Sequence, residues 1–327
     1  MAPGAEPHEA PRHLPVGRFL PGSDGAKLWQ YRLNPTCSII IRTLNEERYL
    51  GQVLARIREQ DYPQSLVEVI VVDSGSTDRT LAIAGEHGCR VVHLARQEFS
   101  FGRSLNLGCA AASGQFLVFI SGHCVPVDVR WLWQILQPLH EPTVAIAYGR
   151  QVGGPESKFS EGVLLRKYFP EHEQTGQSPY FCNNANLALR RACWEQFRFD
   201  ETLTGLEDMH LARQLWEKQW KIRYVPGAGV YHYHHERWAQ VRRRYEREAI
   251  ALQAIMPEVH VHWHDAVRYF VAGVMGDWAA ALRQKGWLRH AGGIVCFRFC
   301  QFYGAWRGNH AHRRLSQREK DRYFYPH

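Results

Sequence analysis

Three runs of β-branched and aliphatic residues constrain this chain more than any other feature: CSIIIRT from Cys37, VEVIVVD from Val67 and FLVFI from Phe116. None alternates polar with apolar positions, so each strand is covered on both faces, as in a parallel sheet buried between helices. Helical segments fall between them. Leu50, Val53, Leu54 and Ile57 recur at the spacing of an amphipathic helix, and Asp78 opens another that closes near Gly88, a residue type that tolerates a left-handed C-cap. CRVVHLA reads as the third strand, Asn106 to Ser113 as a short helix, FLVFI as the fourth strand and VAIAYGRQV as the fifth. This alternation predicts an α/β fold with a doubly wound, mostly parallel sheet.

The second half changes character. Residues 151–180 read as a long polar excursion of the kind that lines or covers a site. FCNNANLALRR returns as a strand, GLEDMHLARQLWEKQW is a helix opening with two acids, and IRYVPGAGVYHYHH reads as strand, turn and strand. From Arg237 the chain is helical, basic and aromatic. The expected organisation is an N-terminal arm over 1–35, a catalytic domain over 36–236 and a helical C-terminal extension over 237–327. Within the domain, 36–150 is the nucleotide-binding half and 151–236 the acceptor half.

With 327 residues, 45% of them hydrophobic, the chain can bury a large core. Its net charge of +8 points to phosphate-bearing partners or an anionic membrane surface. The eight cysteines form no CxxC pair and read as reduced thiols. MAPGAEPHEAPRH lacks the basic start and apolar centre of a secretion signal, and no apolar run is long enough to span a bilayer. The expectation is a cytoplasmic protein, peripheral at the inner face of the membrane. The C-terminal tryptophans and arginines of WLRHAGGIVCFRFCQFYGAWRG suit a helix lying in a membrane interface, or equally a helical subdomain packed on the core.

Ligands of open α/β sheets sit beyond the carboxyl ends of the strands. Five polar turns fall there: RTLNEERYL, DSGSTD, FGRSLNLG, SGHC and GLED, together outlining a cleft. Asp73 ends the second strand, where a carboxylate can hydrogen-bond a ribose or base, although DSGSTD is also an ordinary turn with a helix cap. No GxGxxG or GxxxxGK[ST] is present, which argues against dinucleotide and P-loop folds, and no nucleic-acid-binding motif occurs.

SIIIRTLNEERYL, VIVVDSGSTDRT, GRSLNLGCAAASGQFLVFISGHCVP, FCNNANLALRR, FDETLTGLEDMHLARQL and YVPGAGVYHYHH, in this order over about residues 36–250, resemble the family 2 glycosyltransferases of GT-A fold, and most of all their rhamnosyltransferase-like, polysaccharide-building members. The resemblance implies an inverting transferase that moves a sugar from a UDP- or dTDP-sugar to a saccharide or lipid-linked saccharide. It implies that Thr43, Asn45, Glu46, Asp73, Ser74 and Gly75 hold the nucleoside side of the donor, with Arg103, Asn106, Ser121, Gly122 and His123 beside its sugar and phosphates. Asp208 is the expected general base and Glu207 the alternative. A helix N-terminus keeps such a carboxylate ionised and oriented, and either acid can also simply cap its helix.

The departure from the family lies in SGHC. Members present Asp-x-Asp after the fourth strand, where this chain has Ser121, Gly122, His123 and Cys124. Three readings stay open. His123 ligates a divalent cation with His232 or His234, a nitrogen-rich shell that favours Mn2+ over Mg2+. Alternatively, Arg242, Arg243, Arg244 and Arg247 neutralise the diphosphate without a metal. In the third reading His123 is a satisfied core residue.

Overall fold

The computed structural model describes residues 35–173 and 178–310. The arm read over 1–35 therefore lies outside the described residues except for Pro35, as do residues 311–327 of the C-terminal extension.

The apolar runs form β1 (Cys37–Thr43), β2 (Val67–Asp73) and β4 (Phe116–Ser121), with β3 (Arg90–His93) outside β2. All four are parallel, and β1 lies between β2 and β4, with Ile39 paired to Val69 and Val118. Both sheet faces are covered, as the unbroken apolar pattern requires. Ile39 and Ile41 pack toward α1 (Leu50–Arg58) and α4 (Trp131–Leu136), while Ile40 packs toward α3 (Phe101–Ala111). Helix α2 (Thr80–Glu86) follows the DSGSTD turn, where Asp78 Oδ1 accepts the Thr80 N–H at 2.9 Å, and Gly88 takes the expected left-handed φ of 67°.

Helix α3 begins at Phe101 rather than at Asn106. Ser100 caps it by accepting the Arg103 N–H at 3.1 Å, and Gly102, which masks the helical pattern, is required there because a Cβ would meet the Asp200 carbonyl oxygen at 2.2 Å.

The remaining elements are β5 (Cys124–Pro126), β6 (Val144–Gly153), α5 (Phe159–Tyr168), β7 (Asn186–Arg190), α6 (Arg191–Gln196), α7 (Glu207–Glu217) and β8 (Lys221–His232). The eight-stranded order is β3-β2-β1-β4-β7-β6-β8-β5. β7 enters antiparallel between β4 and β6, so the fifth strand of the sequence reading is not the neighbour of the fourth. The excursion over 151–180 carries the end of β6 and all of α5. β8 is one strand: Gly149 pairs with Val225 and Gln151 with Val230, so Pro226 to Gly229 form an irregularity instead of a turn.

Three helices follow: α8 (Trp238–Ile255), α9 (Trp263–Arg283) and α10 (Trp287–Asn309). Among the described residues no helix is long and apolar enough to cross a membrane. α8 and α10 pack backbone to backbone at glycines; a Cβ on Gly308 would lie 2.1 Å from the Glu246 carbonyl oxygen and 2.8 Å from the Ala249 Cβ. Gly308→Ala is expected to force the helices apart at a cost of roughly 1–3 kcal/mol, read as a lower urea midpoint with unchanged slope.

Candidate active site

Topology brings the two ends of the sheet's histidine-bearing segments together. Cys124 pairs with His232, and the Tyr233 N–H donates to the His123 carbonyl at 3.1 Å, which zips the SGHC turn to the end of β8. A cleft of about 810 Å³ opens here, lined by Asn45, Glu46, Ser121 and His123 at one end and by α5 and α8 side chains at the other.

His123, His232 and His234 each place a ring nitrogen within 4.8 Å of the other two. Each Nδ1 is already engaged: His123 with Glu46 Oε1 at 2.7 Å, His232 with Gln151 Oε1 at 2.7 Å and His234 with Glu161 Oε1 at 2.6 Å. Carboxylate and amide oxygens only accept, so each imidazole donates from Nδ1 and, when neutral, leaves its Nε2 lone pair free to ligate. The Gln151 orientation is fixed by its own amide, which donates to Asn183 Oδ1 at 3.1 Å.

His232 Nε2 and Glu161 Oε2 are buried and have no hydrogen-bond partner. Buried acceptors left without a donor are costly unless something cationic or a hydrogen-bond donor reaches them. Imidazoles held through Nδ1 by oxygen acceptors are the arrangement of metal-ligating histidines, and these residues fit a divalent cation. Burial, followed by the neighbouring His234 and His123, holds the His232 pKa well below the usual histidine value, so its ring stays neutral and able to ligate. Burial opposes protonation of His123 too, but Glu46 beside it outweighs that and raises its pKa.

Arg244 sits against this cluster. Its guanidinium donates to both oxygens of Glu236, at 3.0 and 2.8 Å, and to Glu161 Oε1 at 3.1 Å. Burial of Glu236 is outweighed by this partner, and its pKa falls to about 2. Arg244 is thereby committed to carboxylates, which removes it from an arginine clamp; Arg247 does line the cleft, stacked over Phe101 at 4.3 Å.

The acids of GLED open α7, preceded by Leu206 in the left-handed region at φ 56°, a conformation that costs a non-glycine residue about 1–3 kcal/mol. Leu206 lines the cleft and both acids lie behind it, buried. Glu207 Oε1 accepts from Arg42 at 3.1 Å and from Asn184 Nδ2 at 2.8 Å. Asp208 has no cationic partner at hydrogen-bond distance; its oxygens accept the Asn184 and Met209 backbone N–H groups, both at 2.7 Å. Burial and then the Glu207 charge push its pKa to about 7. Adjacent acids thus differ in kind: one is an ion-pair member, the other a carboxylate poised to take a proton near neutrality.

The other residues singled out in the sequence fall in three groups. Asn45, Glu46, Ser121 and His123 line the cleft, and Gly122 lies against Glu46, where a Cβ would come within 2.9 Å of Glu46 Cγ. Thr43, Asp73, Ser74 and Gly75 stand at the β1–β2 edge. Asp73 there accepts from Thr43 and Ser76 hydroxyls and from the Gly75 and Ser76 N–H groups. Arg103 and Asn106 are on α3, away from the histidines. Arg103 pairs with Glu98 and Glu201 at 3.5 and 3.8 Å. Asn106 is buried, donating to the Phe199 carbonyl and Glu201 while accepting from Trp194 Nε1 and the Phe199 N–H.

Asn106→Ala would strand two buried donors, so a loss of roughly 3 kcal/mol in stability is expected. A urea titration measures it; an unchanged midpoint together with weaker donor binding would instead place Asn106 at the donor.

Sequence reasoning missed Glu161, Gln151, Asn184 and Glu236. Glu161 lay inside the presumed excursion, where Phe159, Val163 and Leu164 carried a readable helical spacing; the others gave no local signal, because only the fold brings Gln151 and Glu236 to the histidine cluster and Asn184 to Glu207 and Asp208.

Among solved structures, a mannosyltransferase from Pyrobaculum calidifontis in complex with GDP-Man and Mn2+ matches with a TM-score of 0.61 at 17% identity, over 85% of this chain and 88% of that one. Glucosyl-3-phosphoglycerate synthase from Mycobacterium tuberculosis, in complex with Mn2+, UDP-glucose and phosphoglyceric acid, matches with a TM-score of 0.52 at 22% identity, over 72% and 85%. The fold is therefore that of the GT-A glycosyltransferases.

Residues 38–197 match the family described as Glycosyl transferase family 2, and the chain carries a domain of that family. Among its curated relatives is the O-antigen chain rhamnosyltransferase WbaN of Salmonella anatum, 27% identical over 224 residues, which are 64% of this chain and 70% of the relative.

Proposed function

We propose that this protein is an inverting glycosyltransferase of polysaccharide synthesis that moves a hexosyl or deoxyhexosyl group from a UDP- or dTDP-sugar to an acceptor saccharide, free or carried on a lipid. The observation that carries the reading is a cleft lined by the three clustered histidines and by Leu206, with a buried carboxylate whose pKa is pushed to about 7, Asp208, two residues beyond Leu206 at the start of α7. An acceptor hydroxyl attacks the anomeric carbon from the face opposite the diphosphate, the glycosidic C–O bond breaks with its electrons passing to the phosphate oxygen, and the hydroxyl proton goes to Asp208. Attack from the opposite face inverts the configuration.

Glu207, tied to Arg42 and Asn184, holds the first turn of α7 and raises the basicity of its neighbour. Glu46, Gln151 and Glu161 fix the rings of His123, His232 and His234. His123, His232 and His234 would hold a divalent cation, which would supply positive charge for the departing diphosphate; nitrogen ligands favour Mn2+ over Mg2+. Asn45, Ser121 and the Gly122 backbone border the donor end of the cleft.

The test is a panel of nucleotide sugars assayed by release of the nucleoside diphosphate with candidate saccharide acceptors. Release with a UDP- or dTDP-sugar that depends on the acceptor supports the reading. Absence of turnover across the panel, with donor binding intact by calorimetry, would point to a sugar-nucleotide-binding protein.

A further inference from the structure

The hairpin of α9 and α10 turns an apolar face to solvent. Trp263, Val267, Val271 and Met275 descend one side of α9 at helical spacing and are 68, 53, 52 and 58% exposed. Phe299 of α10 stands beside them at 54%, and between the two helices runs a groove of about 430 Å³ with apolar and aromatic walls. Exposed apolar side chains that run together along two helices mark an interaction surface.

The charges around it identify the partner. From Trp263 to His310 the acids are Asp265, which pairs with Arg268 at 3.3 Å, and Asp277, which is buried in a double hydrogen-bonded pair with Arg298, at 2.8 and 2.7 Å. Both acids along the face are therefore answered by an arginine. Exposed cations flank it: Arg283, Lys285 and Arg289 gather where α9 turns into α10. An apolar surface edged by cations, its own acids paired with arginines, complements an anionic lipid headgroup layer lying over acyl chains. A partner protein surface of ordinary mixed charge would leave its own cations unanswered there.

We propose that the α9–α10 face docks this protein on an anionic bilayer, its aromatic and aliphatic side chains entering the headgroup region while the hairpin lies along the surface. The same helical unit lines the cleft, through Arg244 and Glu248 of α8 and Gln301 of α10. Docking thus presents the acceptor end of the cleft to lipid-borne saccharides. That consequence rests on the glycosyl-transfer reading; the docking itself does not.

The full chain, mixed with vesicles of phosphatidylglycerol and phosphatidylcholine in equal parts, is expected to sediment with them and to show a blue-shifted tryptophan emission. Pure phosphatidylcholine vesicles or raised salt should weaken the binding. Val267→Glu with Val271→Glu, at exposed positions that do not hold the core, is expected to weaken partitioning by about tenfold or more. Reversal of Arg283 and Lys285 to Glu should remove the preference for anionic lipid.

Retention of the wild-type chain in the supernatant overturns the proposal, and so does vesicle binding that both variants leave unchanged. A wild-type dimer in sedimentation equilibrium that Val271→Glu dissociates, with no vesicle binding, assigns the face to a second copy and overturns it as well. Donor turnover in the same preparations separates the two readings: turnover without vesicle binding sinks the docking surface alone, and vesicle binding without turnover sinks the transferase reading alone.

Discussion

Asp208→Asn is expected to lower transfer by about a hundredfold to ten-thousandfold while donor binding, measured by calorimetry, stays within a fewfold of the parent. The carboxylate is buried at the start of α7 and accepts two backbone N–H groups, so the amide can occupy the same place but cannot take a proton. The pH dependence sharpens the test. A general base acts only when ionised, and burial together with Glu207 brings the Asp208 pKa to about 7, so parent activity should rise as pH increases through about 7 and level off above it. The residual activity of Asp208→Asn should lack that limb.

Glu207→Gln provides the contrast. It removes the negative neighbour that raises Asp208 and breaks the 3.1 Å pair with Arg42. The rising limb should therefore move to lower pH, with a smaller loss of rate. Substantial turnover in Asp208→Asn with the limb in place would transfer the role of base to Glu207 or to Glu248, which lines the cleft and whose carboxyl is also raised by burial.

The reach of the sequence follows from where each constraint is written. Ile39, Ile40 and Ile41 announce a strand covered on both sides, because a strand facing water on one side would have broken the run. The order of elements up to β4 is legible for the same reason. The placement of β7 is not. NLALR is as apolar as a parallel strand, and nothing local says that it runs antiparallel between β4 and β6. Pro226 to Gly229 look like a turn because their composition is that of a turn, and only pairing with β6 carries the strand through.

The site divides the same way. GLED, SGHC and the VYHYHH histidines stand out because polar residues at strand and helix ends are conspicuous in an apolar chain. Their supports, Gln151 on β6 and Glu161 on α5, are ordinary polar residues whose meaning comes from a ring nitrogen distant in sequence. Asn106 shows the converse. Its motif marks it in the sequence, yet the structure fills its amide with protein partners.

Removal of divalent cations is the second large effect. EDTA is expected to abolish transfer, with activity restored better by Mn2+ than by Mg2+, because the available protein ligands are chiefly imidazole nitrogens. Binding can be read without turnover. Mn2+ titrated into the chain by electron paramagnetic resonance should lose its free-ion signal, and the ion should raise the melting temperature by mass action. His232→Ala deletes the buried, partnerless Nε2 and should weaken Mn2+ binding by about a hundredfold or more, whereas Gln151→Leu, which only frees the ring that Gln151 orients, should weaken it by about ten- to a hundredfold.

The graded response matters more than either loss, since a core histidine without a ligand role would change stability in both variants and Mn2+ affinity in neither. Transfer that survives EDTA unchanged, joined to a collapse in Arg247→Ala, would hand the diphosphate's counter-charge to a guanidinium. Arg244 could not supply it without abandoning Glu236 and Glu161, and the depressed pKa of Glu236 shows how firmly that pair is held. A graded loss of Mn2+ affinity across His232→Ala and Gln151→Leu would make the absence of the family's paired aspartates a change of ligand chemistry, with nitrogen taking the place of oxygen beside the same leaving group.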